Sequence, residues 1–245
     1  DYTLMGGVER VTSNLVNLFL KNDIPLDCII TLNKKFVEPR IVYPKSVDVY
    51  LVKENEVVNF LLEKGISHVI IQVQDLRQAY NMVRLLEKNS VAIFPILHNT
   101  PYAYIKRFLP VKSFIDKLKH QKTNFYTKPK NLFYLRKITQ LSDKFLMVSE
   151  TAHNEIKQYL PKKYHNKIDF IYNPANLKYY NTLVEKKNII IYAGRLVVDK
   201  RVFELTKILG RLLIEYPSWQ FHILGEGSEY DIINKYITEN DLHQV

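Results

Sequence analysis

The chain has 245 residues, of which 47% are hydrophobic and 24% are charged, a composition typical of globular proteins. It excludes a disordered chain, a collagen-like repeat and a disulfide scaffold. The 35 Lys and Arg residues outnumber the 25 Asp and Glu residues, so the formal net charge is +10. Such a surplus predicts a basic surface that attracts an anionic partner.

The single cysteine, Cys28, lies in the apolar run 26–32, so the chain can form no internal disulfide and a reducing compartment is expected. A lone cysteine in such a run is typical of a core residue rather than a nucleophile. No apolar stretch reaches the roughly 18 residues that cross a bilayer, and residues 1–7 lack the regions of a signal peptide. The sequence therefore predicts a cytoplasmic protein.

Short β-branched runs alternate with segments of helical period. A helix with Val8, Val11 and Leu15 on one face opens directly after Gly6 and Gly7. The strands predicted after it are 26–32, 47–52, 68–73, 91–97, 144–148 and 168–172, and the helices are 54–64, 75–88 and 150–159. This alternation predicts an α/β fold with a parallel sheet and helices on both faces.

The stretch 173–187 is rich in Asn, Tyr and charged residues and predicts a connection between two domains, 1–178 and 179–245. Beyond it follow a strand at 188–193, a helix at 200–216, a strand at 219–224 and a helix at 229–239. Two strands are too few for a doubly wound sheet, so we expect the second domain to be incomplete in this chain. The glycine pair lacks a preceding strand, so we also expect a strand to precede Asp1.

The segment from Tyr104 to Lys137 interrupts the alternation and contains one acid, Asp116, against ten basic residues, so it holds +9 of the net charge. The basic residues are Lys106, Arg107, Lys112, Lys117, Lys119, Lys122, Lys128, Lys130, Arg136 and Lys137. Interleaved aromatics make the segment suitable for an anionic membrane surface. A solvated helix pair is nearly as well favoured, and an RNA or single-stranded DNA groove less so.

Several common chemistries have no motif here. There is no His pair or Cys cluster for zinc, no nucleophile elbow and no phosphate-binding loop of the P-loop type. Gly225 and Gly227 begin a dinucleotide fingerprint, but Tyr230 occupies its third glycine position. No Asp-x-Asp pair is present to hold a divalent ion on a sugar nucleotide, so we expect chemistry without a metal or other cofactor.

The loop from Gly194 to Lys200 follows a buried-type strand and opens a helix, which places Arg195 and Lys200 at the carboxyl end of the sheet. Anionic ligands bind at this position in α/β sheets. An arginine fork and a lysine charge can together neutralise a diphosphate and stabilise it as it leaves. Two solvated loop cations are the alternative if the loop is considered alone.

The surrounding residues add a wider pattern: Gly6-Gly7-Val8-Glu9-Arg10, Tyr192-Ala193-Gly194-Arg195-Leu196, Lys200, Tyr216-Pro217-Ser218-Trp219 and Leu224-Gly225-Glu226-Gly227-Ser228-Glu229. In this joint spacing the chain resembles the retaining glycosyltransferases of family 4, which have the GT-B fold of two Rossmann-like domains. The resemblance extends from Gly6 to about Asn240. Arg201 stands where the family has glycine, and the family's pair of glutamates would lie beyond Val245.

The resemblance implies a role for each matching residue. Arg195 and Lys200 would bind the diphosphate of a nucleotide-sugar co-substrate, and Gly6 and Gly7 would let backbone N–H groups approach it. The loop of Gly225, Glu226 and Gly227 would pass near the nucleobase or ribose. His98, at the end of the strand 91–97, would contact donor or acceptor near the reacting sugar, and with Arg195 and Lys200 it completes the candidate catalytic set.

The activity implied is metal-independent transfer of a sugar, with retention, to a glycan or glycolipid acceptor in bacterial polysaccharide or lipopolysaccharide synthesis. The first domain would supply the acceptor side, where the basic segment favours a lipid-linked acceptor or the inner face of the cytoplasmic membrane. The residues predicted to form the acceptor or membrane patch are Lys106, Arg107, Lys112, Lys117, Lys119 and Lys122. A GT-B sugar-nucleotide epimerase and a non-catalytic nucleotide- or RNA-binding protein are the alternatives.

Overall fold

The computed structural model of the chain describes residues 7–32, 43–105, 121, 123–174 and 185–245. Contacts divide the chain into two compact units, unit 1 at Asp1–Leu177 and unit 2 at Lys178–Val245. Acceptor and donor roles for the two predicted domains stay predictions.

The first described element of unit 1 is helix α1 (Gly7–Lys21), as the glycine pair predicts. Its other elements are β1 (Cys28–Thr31), β2 (Asp48–Leu51), α2 (Val57–Glu63), β3 (His68–Val73), α3 (Leu76–Leu86), β4 (Ala92–Leu97), α4 (Pro101–Ile105), α5 (Lys128–Leu141), β5 (Phe145–Met147), α6 (Glu150–Lys157) and β6 (Ile168–Phe170). Side-chain caps fix two helix starts, because Asp75 accepts from the Gln78 N–H at 2.8 Å and Ser149 accepts from the Ala152 N–H at 3.1 Å.

All strand pairs of unit 1 among the described residues are parallel, which confirms the predicted fold class. One sheet has the order β3-β4-β5-β6, and β1 and β2 form a separate pair. Among the described residues, β1 and β3 are not paired with each other. The core lies between the four-stranded sheet and its helices, with Val83, Leu97, Ile138 and Phe145 fully buried.

Helix α5 begins in the basic segment, extends four residues beyond it to Leu141, and packs against α3. Its buried face carries Leu135, Ile138 and Thr139. The alternation of strands and helices in the sequence did not predict a separate helix in this region. None of the described helices is both long and apolar enough to span a membrane.

Unit 2 consists of β7 (Ile189–Ala193), α7 (Val202–Glu215), β8 (Gln220–Leu224) and α8 (Tyr230–Glu239), and β7 pairs with β8 in parallel. The sequence predicted the second of these elements to begin at Lys200. It begins two residues later because Arg201, at φ 53°, adopts the left-handed conformation and separates α7 from the short 3-10 turn Val198–Lys200.

Candidate functional site

The loop after β7 holds the two cations predicted to bind a diphosphate. Its backbone is fixed at Leu196, which is buried in the core of unit 2 with Val202 and Ile233. The Tyr192 hydroxyl donates to the Arg195 carbonyl at 3.0 Å. The side chains of Arg195 and Lys200 are exposed, so both cations are available to a ligand at the carboxyl end of β7.

The loop after β8 packs directly on the loop after β7. The Gly194 N–H donates to the Leu224 carbonyl at 2.9 Å, and the Leu196 N–H donates to the Glu226 carbonyl at 2.8 Å. In addition, the Glu229 N–H donates to the Leu196 carbonyl at 2.9 Å. The two loops therefore form one hydrogen-bonded unit, and the Glu226 side chain is exposed on it.

Both glycines of the β8 loop are required by this close approach. A Cβ at Gly225 would lie 1.9 Å from the Gly194 carbonyl oxygen. At Gly227, where φ is +156°, it would lie 2.3 Å from the Leu196 carbonyl oxygen. The positions thus have a steric reason to be glycine, and their predicted contact with nucleobase or ribose stays a prediction.

In unit 1 the candidate residues lie at the carboxyl edge of β3 and β4. Gly7 is exposed at the start of α1, where a Cβ would meet no atom within 4 Å, while Gly6 lies outside the described residues. In the first turn of α1, Glu9 is only 7% exposed. Its Oε1 accepts from Nε2 of Gln74 at 3.2 Å, which joins the start of α1 to the end of β3.

His98 directly follows β4, as predicted, and its ring contacts a side chain of the neighbouring strand. Its Nε2 lies within hydrogen-bond distance of Oε1 of Gln72. With the Gln72 amide in this orientation, a proton on Nε2 of His98 completes the contact, and Nδ1 of the neutral ring is then an acceptor. Burial lowers the pKa of His98, and the Glu9 charge partly opposes that shift.

The sequence motifs do not identify Glu9, Gln72 or Gln74 as members of this edge. Glu9 was only part of a matching run, and neither glutamine belongs to a motif. One feature of the sequence points to the two glutamines. Gln72 and Gln74 flank the last residue of β3, and the parallel sheet places the end of β3 beside His98. Polar side chains at the carboxyl ends of neighbouring parallel strands converge at one edge.

The structure thus brings the predicted residues together in two groups. One group, in unit 1, comprises Gly7 and His98 together with their newly found partners. The other, in unit 2, comprises Arg195, Lys200, Gly225, Glu226 and Gly227. The candidate patch Lys106, Arg107, Lys112, Lys117, Lys119 and Lys122 lies outside the described residues. Within the described ranges, no three His, Cys, Asp or Glu side chains are grouped to hold a metal ion.

The chain is similar in fold to several solved structures. With the lipopolysaccharide outer core galactosyltransferase WaaB, in its apo form, the TM-score is 0.61 and the identity 20%, over 99% of this chain and 63% of WaaB. With Anabaena HepE in complex with UDP and glucose, the TM-score is 0.65 and the identity 12%, over 98% of this chain and 65% of HepE. The fold matches GT-B glycosyltransferases.

A mutant of S. aureus TarM, in complex with fondaparinux, alpha-GlcNAc-glycerol and UDP, gives a TM-score of 0.54 and an identity of 18%, over 76% of this chain and 34% of TarM. The chain therefore spans less than two thirds of the length of each of these three proteins. No protein-family model and no curated protein sequence matches it.

Proposed function

We propose that this chain is part of a retaining, metal-independent glycosyltransferase of family 4. It would move a sugar from a nucleotide-diphosphate donor to a glycan or glycolipid in bacterial cell-surface polysaccharide or lipopolysaccharide synthesis. Arg195 carries the proposal, because its exposed side chain follows a parallel strand while its backbone is held by the Tyr192 hydroxyl. The similarity to HepE with UDP and glucose supports a nucleotide-sugar donor.

The chemical demand of such a transfer is the charge that develops on the departing diphosphate. Arg195 can bind two oxygens of that group with its planar fork, and Lys200 adds a compact positive charge. Together the two side chains would supply positive charge to the departing group without a metal ion. The loop they share is tied to the β8 loop by backbone hydrogen bonds, which limits the reorganisation needed when the diphosphate leaves.

His98 would act on the sugar side as a neutral hydrogen-bonding group. Its lowered pKa favours the uncharged ring, and its proton on Nε2 is directed at Gln72. The remaining nitrogen, Nδ1, can accept a hydrogen bond from a sugar hydroxyl. We therefore assign His98 to substrate orientation rather than to proton donation at neutral pH.

We also propose that the basic segment binds an anionic membrane surface that holds the acceptor. Residues 117–142 contain no Asp or Glu. Tyr126, Lys130, Phe133 and Lys137 recur at spacings of four, three and four, so they share one side of α5 and the turn before it. Phe125 is 84% exposed, Tyr126 63% and Phe133 47%, and exposed aromatics beside cations suit the headgroup region.

The test uses the full-length protein with a panel of nucleotide sugars and lipid-linked acceptors. Arg195→Ala and Lys200→Ala should each lower kcat by about 10²–10³, the cost of losing one electrostatic donor to a developing charge. Arg211→Ala and Lys186→Ala are matched controls, because both side chains are exposed cations of unit 2 outside the loop. Unchanged turnover in both loop variants would reject the proposal.

Product analysis separates the related activities. A retaining transferase gives a product with the donor's anomeric configuration, which NMR of the new linkage measures. An epimerase instead changes the sugar nucleotide with no acceptor present. Addition of EDTA should leave the transfer rate unchanged, and a rate that falls with EDTA and recovers with Mg²⁺ would contradict metal independence.

A further inference from the structure

Tyr104, in α4, lies at the centre of a hydrogen-bond network around the turn that carries His98. Its hydroxyl donates to the Gln74 carbonyl at 3.2 Å and accepts from Nδ2 of Asn99 at 3.3 Å. Its backbone carbonyl accepts from Nδ2 of Asn131, in α5, at 2.7 Å. One residue therefore connects the end of β3, the turn after β4 and helix α5.

The Tyr104 hydroxyl serves as a donor and as an acceptor at once. A phenol has one proton to donate and lone pairs that accept, so donation to the Gln74 carbonyl leaves the oxygen able to accept from Asn99. Burial raises the pKa of Tyr104, and the hydrogen bond from Asn99 partly opposes that shift. The hydroxyl therefore keeps its proton at neutral pH, and its donation to the Gln74 carbonyl is maintained there.

The turn 98–100 is short and is anchored at both of its ends. Leu97 before it and Ile105, the last residue of α4, are fully buried in the core of unit 1. Asn99, in the middle of the turn, has an exposed side chain that bonds to the Tyr104 hydroxyl. Loss of that hydroxyl would release the middle of the turn while its two ends stay in place.

The second contact of the Tyr104 hydroxyl restrains the strand that supplies the partner of His98. Gln74 lies two residues beyond Gln72, whose Oε1 contacts Nε2 of His98. Nε2 of Gln74 donates to Glu9, so both the backbone and the side chain of Gln74 are held. Tyr104 thus restrains the turn on one side of the His98 contact and the end of β3 on the other.

We propose that Tyr104 is a positioning residue for sugar transfer, because its hydroxyl fixes the His98 ring in the orientation that presents Nδ1 to the substrate. The inference rests on the role proposed above for His98. Displacement of a substrate-orienting group by about 1 Å can lower a rate by about 10²-fold. Asn131 contributes indirectly, since it holds the backbone of Tyr104 from α5.

The test is Tyr104→Phe in the full-length protein, which removes the hydroxyl and keeps the ring. The kcat of sugar transfer should fall about 10–100-fold, while the KM for the donor, whose diphosphate site is in unit 2, stays unchanged. Tyr50→Phe is the matched control. The Tyr50 hydroxyl also donates, to Oδ2 of Asp48 at 3.1 Å, and accepts, from Nζ of Lys64 at 3.2 Å, but it lies in the separate pair of β1 and β2. This control should keep the original kcat.

Two readouts separate positioning of His98 from a merely structural role. Nitrogen NMR of the His98 ring should show the tautomer protonated on Nε2 in the original sequence and a mixture of tautomers in Tyr104→Phe. In a His98→Ala background, Tyr104→Phe should leave kcat unchanged, because no ring remains for the hydroxyl to position. Asn99→Ala removes one contact of the hydroxyl at an exposed position and should change the His98 signals in the same direction.

Unchanged His98 signals in Tyr104→Phe would overturn the proposal. A loss of kcat that persists in full in the His98→Ala background would overturn it as well, because Tyr104 would then act by another route. If Tyr104→Phe does not fold, Asn99→Ala decides, and unchanged His98 signals in that variant overturn the proposal. The NMR readout needs no substrate, so it is independent of whether Arg195→Ala and Lys200→Ala reject sugar transfer.

Discussion

Replacement of Gly225 by alanine tests whether the two loops of unit 2 are locked by steric contact. The new Cβ would lie 1.9 Å from the Gly194 carbonyl oxygen, which belongs to the backbone and cannot rotate away. A carbon–oxygen contact needs about 3.3 Å, so the loops must separate by about 1.4 Å. The three backbone hydrogen bonds between them would then stretch or break.

The magnitude follows from those bonds and from the overpacking itself. Each backbone hydrogen bond contributes about 1 kcal/mol, and an overpacked site costs about 1–3 kcal/mol. Since relaxation recovers part of this sum, we expect Gly225→Ala to lower the free energy of unfolding of unit 2 by about 3–5 kcal/mol. If Gly225→Ala prevents unit 2 from folding, that is the extreme case of the same destabilisation.

Urea unfolding followed by tryptophan fluorescence provides the assay, because the only tryptophan, Trp219, lies in unit 2. Gly210→Ala is the matched control in α7. Its Cβ would meet only the end of the Leu242 side chain at 2.5 Å, which can move. Helix propensity favours that alanine by about 1 kcal/mol, so little net change is expected. A loss below about 1 kcal/mol for Gly225→Ala would refute the steric argument.

Four further predictions concern unit 1. Burial lowers the pKa of His98, so the contribution of its neutral ring to the free energy of unfolding is complete above the unfolded pKa near 6.5. That contribution is lost as the pH falls through the lower pKa of the folded state. Glu9→Gln should lower the folded pKa of His98 further, which an NMR titration measures. Asp143→Asn should cost about 1–2 kcal/mol in thermal unfolding, because Oδ2 of Asp143 accepts from the Ile93 N–H at 2.8 Å; no change would show that this bond is dispensable. Ser149→Ala should lower the free energy of unfolding by about 1 kcal/mol because the α6 cap is lost. Ser149→Asp should cause no such loss, because aspartate is also a favoured N-cap residue. Lys130→Glu with Lys137→Glu should weaken flotation on phosphatidylglycerol vesicles at least about tenfold, unlike Lys186→Glu, and equal binding would remove the membrane proposal.

Local rules were enough to predict much of the framework. The glycine pair at the start of α1, the helical period of α3 and the β-branched run of β3 are signals contained within a few residues. Parallel pairing followed from the alternation of such elements. The position of His98 after β4 followed as well, because it needs only the end of one strand.

Features that depend on distant backbone were not predictable from the sequence. The contact between Glu9 and Gln74 joins residues 65 positions apart. Gly225 looked like part of a nucleotide fingerprint, whereas its close neighbour is the Gly194 carbonyl oxygen. The later start of α7 depends on the left-handed Arg201, a conformation that the residue type does not favour.

The backbone lock between the two loops of unit 2 has an evolutionary consequence. Gly225 and Gly227 are constrained by folding, so a descendant that had lost catalysis would still retain them. Arg195 and Lys200 have exposed side chains and would be free to drift in the same descendant. Under the proposed role in diphosphate binding, the two cations should mark those distant homologues that keep the activity, and the glycine pair should mark every homologue that keeps the fold.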